Sequence, residues 1–167
     1  MLSTGWRWML LVSLLCGGMA CAPVFAPEVR SQVDPTLSYA DLLANPAAHV
    51  GRIVLLGGTI VDATNFETTT QLTLLQYPLG RGDRPRTNQA SGGRFLIKAS
   101  GYLETAVYRS GRAVSVIGEV EGRADLPLSE TTYAYPVVVP KHLHLWPEGD
   151  TGPRIRFGFG VGFSKGW

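Results

Sequence analysis

A chain of 167 residues, 45% hydrophobic and only 17% charged, has room for one domain of ordinary size and is too apolar to be disordered. Its formal net charge of +2 comes without any block of Lys or Arg, which excludes the electrostatic footprint of a nucleic-acid binder. With 20 Gly, 11 Pro and short runs rich in Val, Ile, Thr, Tyr and Phe, the composition points to β-structure punctuated by turns.

Residues 1–20 read as an export signal. Arg7 supplies a positive charge near the amino terminus, "WMLLVSLLC" an uninterrupted apolar core, and "GGMA" the small residues that precede a cut. The apolar run covers about nine to twelve residues, short of the roughly twenty that a membrane-spanning helix needs. Both cysteines of the chain, Cys16 and Cys21, lie at the edge of this run. A disulfide between them would be discarded with the signal, and no His or Asp stands close by to complete a metal site. Gly18-Met19-Ala20-Cys21 resembles the lipobox of bacterial lipoproteins, with Ala20 at the cut and Cys21 as the acylated residue. Gly18, where Leu is usual, and Met19 depart from that pattern. Cys16 follows the bulky Leu14-Leu15 and reads as an apolar signal residue; ordinary cleavage after Ala20 is the alternative to lipidation. Several acyl chains on Cys21 would anchor the protein durably without a transmembrane helix. By the sorting rule that goes with the resemblance, Ala22 rather than Asp after the Cys favours the outer membrane, with the domain on the periplasmic face.

Residues 21–35, with three prolines and no apolar periodicity, are expected to be a lipidated tether. Ser38 and Asp41 then stand at capping-box spacing before a short helix that ends at Asn45-Pro46. "RIVLLGGTIVDATN" predicts a first strand, coiled or bulged at Gly57-Gly58, joined through Asn65-Phe66 to a second in "ETTTQLTLLQYPL". A polar loop over 80–93 leads to a third strand in "RFLIKAS", and Leu103, Ala106 and Val107 predict a short helix over 102–111. In the fourth strand, 112–124, Val114, Val116, Gly118, Val120 and Gly122 share one face. A second polar loop over 125–135 precedes a fifth strand over 136–147, with Pro140 marking an edge or bulge. The expected fold is mainly β, a small five-stranded OB-like barrel over 36–150. One short helix precedes strand one and another lies between strands three and four. A two-sheet sandwich would call for roughly seven strands.

The chain resembles the Slp family of outer-membrane, starvation-inducible lipoproteins. The resemblance is carried by Cys21, "NPAAHVGRIVLLGGTIVDATN", "TLLQYPLGRGDRP", "GGRFLIKASGYLETAVYRSGRAVSVIGEVEG" and "YAYPVVVPKHLHLWP", in order from about residue 40 to 147. It implies an outer-membrane location and a role in the envelope under starvation. It supplies no active-site residues.

His142 and His144 fall on one strand face and are weak metal candidates, because no spacing selects Glu148 or Asp150 as further ligands. Glu119 and Glu121 also share a face, where a solvated row is the plainer reading than a glycosidase pair. No G-x-S-x-G elbow exists, so no enzyme is expected, and nothing asks for a cofactor. Arg81, Arg84 and Arg86 in the first loop, with Tyr77, Tyr102, Tyr133 and Tyr135, form the candidate ligand surface. Guanidinium groups suit an anionic glycan or lipid headgroup, and aromatic rings suit stacking. The expected partners are the membrane, through Cys21, and an envelope protein or glycan; nucleic acid is not expected. The tail, 151–167, sets Phe157, Phe159, Val161 and Phe163 on one face opposite Gly158, Gly160 and Gly162, as an extra strand would.

Overall fold

A computed structural model describes residues 22–128 and 130–149. The signal with Cys16 and Ala20, the lipidation candidate Cys21, Asp150 and the tail 151–167 lie outside the described residues. Two short helices, α1 (Pro27–Arg30) and α2 (Tyr39–Ala44), precede five strands: β1 (Ile53–Asn65), β2 (Thr69–Gln76), β3 (Gly93–Ser100), β4 (Ala113–Leu128) and β5 (Thr131–Leu145). The fold is mainly β. Its sheet closes on itself in the order β1-β2-β3-β5-β4, with every pairing antiparallel except β3 with β5.

Strand β1 makes closure possible by changing partner midway. Its first half, from Ile53 to Thr59, pairs with β4, while Gly58 to Asn65 pair with β2. The exchange falls on Gly57-Gly58, where side chains have no room. A Cβ on Gly58 would lie 2.6 Å from the Leu75 carbonyl oxygen, and one on Gly57 would lie 2.4 Å from Leu79. Residues at alternate positions point inward, so Val54, Leu56, Ile60, Leu72, Leu74, Phe95, Ile97, Val114, Val116 and Val120 fill one core.

Helix α2 begins as its sequence dictates, with the Ser38 hydroxyl accepting from the Asp41 amide at 3.2 Å. Leu42, fully buried, joins the core and plugs the ring. The Tyr39 hydroxyl donates to the Arg94 carbonyl at 2.9 Å, and burial pushes that phenol above its ordinary pKa.

Three expectations change. Residues 102–111 form turns rather than a helix: the Val107 and Tyr108 amides both bond the Glu104 carbonyl at 2.9 Å, and nothing propagates. The segment is bounded by Gly101 and Gly111, both at positive φ, which break the chain direction at either end. Leu103 and Tyr108 pack on the core instead, leaving Val107 exposed. The loop expected over 125–135 is the far end of a hairpin, in which Gly122 to Leu128 pair with Thr131 to Val137. This arm covers the outside of β3, burying Leu96 beneath Tyr135 and Val137.

Residues 22–35, read from the sequence as a tether, pack against the ring. Phe25 is buried, the Val24 amide donates to the Gly82 carbonyl at 3.3 Å, and the Asp34 amide donates to Ile53 at 2.9 Å. Arg30 pairs with Asp83, and Arg52 with Asp34.

Candidate functional site

The first polar loop is built rather than slack. It leaves β2, folds back over β1 at Gly57, and closes on itself through Gly80 N–H to the Arg84 carbonyl (2.7 Å) and Arg86 N–H to the Pro78 carbonyl (2.8 Å). At its tip Gly82 and Asp83 both adopt a φ of 68°, the left-handed region that glycine favours and Asp tolerates. This turn drives Asp83 inward, where its carboxylate meets Arg30. Ser115, fully buried on the outer face of β4, donates to the Asp83 carbonyl at 2.6 Å and accepts from the Trp146 indole at 2.8 Å. One hydroxyl thereby ties the loop, the sheet and the residue after β5 together.

Between the loop, the start of β4 and residues 146–149 lies a cleft of about 650 Å³. Arg81, Arg84, Arg86 and Arg112 line it, with Trp146 and Glu148. The Arg84 guanidinium stacks 5.0 Å from the centre of a Trp146 ring. Arg112 donates to the carbonyls of Val107 (3.2 Å) and Trp146 (2.9 Å), while its buried Nε has no hydrogen-bond partner and stands 3.7 Å from Glu148. Glu148 also pairs with Arg109. Arg81 and Arg86 pair with no carboxylate among the described residues. A wall of guanidinium donors around a partly apolar floor suits an anion.

Of the seven candidate surface residues, the three arginines come together and the tyrosines do not join them. Tyr133 and Tyr135 stack edge-to-face at 4.7 Å in the β4–β5 arm, and Tyr133 accepts from the Arg94 amide at 3.2 Å. Tyr102 is 69% exposed beyond β3, and Tyr77 does not line the cleft. His142 is exposed, whereas His144 packs edge-on to Trp146 at 4.6 Å, and burial lowers its pKa. Among the described residues no three His, Cys, Asp or Glu side chains gather as a metal site would need. Glu119 pairs with Lys141 and Glu121 with Lys98, a solvated row. Sequence reasoning missed Arg112, Ser115 and Trp146. The only signal for them was an Arg directly after Gly111 and a Trp closing the last strand.

Comparison with known proteins covers most of the chain. The family described as "Outer membrane lipoprotein Slp family" matches residues 19–157. The uncharacterized lipoprotein YeaY of Escherichia coli (strain K12) is 29% identical over 108 residues, 65% of this chain and 55% of that protein. The outer membrane protein Slp of the same organism is 25% identical over 117 residues, 70% of this chain and 62% of its own length. An uncharacterized protein of Haemophilus influenzae is 28% identical over 138 residues, 82% of this chain and 75% of its own. The chain thus spans less than two thirds of either E. coli relative. It belongs to the Slp family of outer-membrane lipoproteins.

Proposed function

We propose that this chain is a non-enzymatic binding module of the bacterial envelope, held at the outer membrane by lipid on Cys21 after cleavage behind Ala20. Its domain, residues 36–150, is then an OB-like barrel facing the periplasm, with the arginine cleft as its working surface. The strand order, with a parallel β3–β5 pair, supports the OB-like reading. The family match takes in Cys21, which supports the anchor. One observation carries the binding role: the arginines stand on a base fixed by the buried Ser115, Asp83 and Trp146 contacts. Donors held in place lose little freedom when an anion arrives. The carboxylate in the lining, Glu148, is engaged by Arg109 and Arg112, and the relatives' names state no catalysis.

Two measurements test this. Cys21→Ala should release the protein from the membrane fraction; unchanged retention overturns the anchor. Calorimetric titration of the mature chain with inorganic phosphate and with an anionic glycan should give binding that Arg81/Arg84/Arg86→Ala lowers at least about a hundredfold, since each charge-assisted hydrogen bond contributes about 1.5–3 kcal/mol. If neither anion binds the unaltered chain, the cleft is not a binding site.

A further inference from the structure

We propose that the arginine cleft lies against the bilayer in which the protein is anchored and takes the phosphate groups of anionic lipid headgroups there. This rests on the lipid anchor and the cleft reading given above.

The N-terminal segment and the cleft loop are one structure. The Ala22 carbonyl oxygen sits 3.3 Å from where a Gly82 Cβ would stand, and the Val24 amide bonds the Gly82 carbonyl. Phe25 is buried, Arg30 holds Asp83 and Asp34 holds Ile53. The attached residue, Cys21, is one peptide away from Ala22, about 3.8 Å along the chain. That leaves no slack for the domain to stand away from the lipid. Acyl chains on Cys21 enter the hydrocarbon, so the residue bearing them sits among the headgroups. The Gly82 turn is therefore held at headgroup depth, within an Arg side chain's length of lipid phosphates.

The charge distribution agrees. Away from the cleft, three of the four Lys and Arg residues on the strands are neutralised locally, Arg94 being the exception: Lys98 by Glu121 at 3.1 Å, Lys141 by Glu119 at 3.2 Å, Arg123 by Asp125 at 2.8 Å. In the cleft, Arg81 and Arg86 have no such acid among the described residues, and the Arg112 Nε has an unused donor. The guanidinium fork matches two phosphate oxygens at once. Trp146, its indole anchored and its face beneath Arg84, is the ring type enriched at membrane–water boundaries. A volume of about 650 Å³ admits a phosphoglycerol headgroup.

The test uses the lipidated mature chain carrying Trp167→Phe, so that Trp146 is its single tryptophan. It is reconstituted in phosphatidylcholine vesicles with or without phosphatidylglycerol, each containing a lipid with a nitroxide on its headgroup. Quenching of Trp146 should rise at least twofold when phosphatidylglycerol is present. Raising NaCl to about 0.5 M, where the screening length shrinks to a few ångströms, should reverse it. Arg81/Arg84/Arg86→Gln should abolish the rise, while Lys98→Gln, on another face, should leave it intact. Quenching that ignores phosphatidylglycerol and salt overturns the proposal without reference to any variant. If inorganic phosphate shifts Trp146 emission while the anionic lipid has no effect, the cleft serves a soluble anion. The proposal then fails and the binding module stands.

Discussion

Ser115 shows how much of the site depends on one small side chain. The alternation of β4 puts it opposite Val114 and Val116, on the face a reader of the sequence would assign to solvent. It is fully buried instead, because the arginine loop and Trp146 close over it. Its partners are 32 and 31 residues away in sequence, and no local pattern announces them. Ser115→Ala would leave an indole N–H and a backbone carbonyl without their shared partner. Each buried group so stranded costs about 1–3 kcal/mol. Urea unfolding should register a loss in that range, and phosphate affinity should fall because the loop loses its base. A neutral effect on both would mean the hydroxyl is not what positions the loop.

At the level of elements, the strands were legible and the connections were not. Alternating Val in β4 and Leu in β2 marks an inward face because an enclosed core demands it. Residues 125–128 of β4 read as loop because this end of the strand is exposed or half-buried in turn, having only β5 to pair with. The turn segment 102–111 reads as a helix because Leu103 and Val107 have helical spacing, yet of these two only Leu103 packs inward. Glycines within strands were the more reliable marks. A Cβ on Gly118 would stand 2.5 Å from the Val139 carbonyl oxygen, 2.6 Å from Val138 Cγ1 and 3.1 Å from Pro140 Cα, at the β4–β5 register shift. Two of these are backbone atoms with nowhere to go. Gly118→Ala should therefore lower unfolding free energy by about 1–3 kcal/mol through overpacking. Gly51→Ala meets nothing within 4 Å and should cost only about 1–2 kcal/mol, from its φ of +81°. Equal and negligible losses in chemical denaturation would refute the crowding argument.

For the molecule as a whole, the decisive feature is that residues 22–35 belong to the closed sheet's surface. Composition describes that stretch well, with its prolines and missing periodicity, but ion pairs such as Arg30 with Asp83 and Arg52 with Asp34 leave no sequence signature. Asp34 is the clasp's far end. Its carboxylate accepts from the Thr36 hydroxyl (2.7 Å) and amide (2.9 Å) and pairs with Arg52, while its own amide bonds Ile53. Hydrogen bonds from the Thr36 side chain first, then its backbone, bring the Asp34 pKa down from 3.8 to about 2. Because the folded value lies below the unfolded one, the charged carboxylate favours the clasped state. Its contribution is fully present above about pH 4 and fades as pH falls toward 2. Carbon NMR titration of the Asp34 carboxyl should show a midpoint near 2. Thr36→Val should move that midpoint back toward 3.8, and Arg52→Gln should move it less, since Thr36 is the larger cause. A wild-type midpoint near 3.8 would mean that the Thr36 hydrogen bonds to Asp34 do not form in solution.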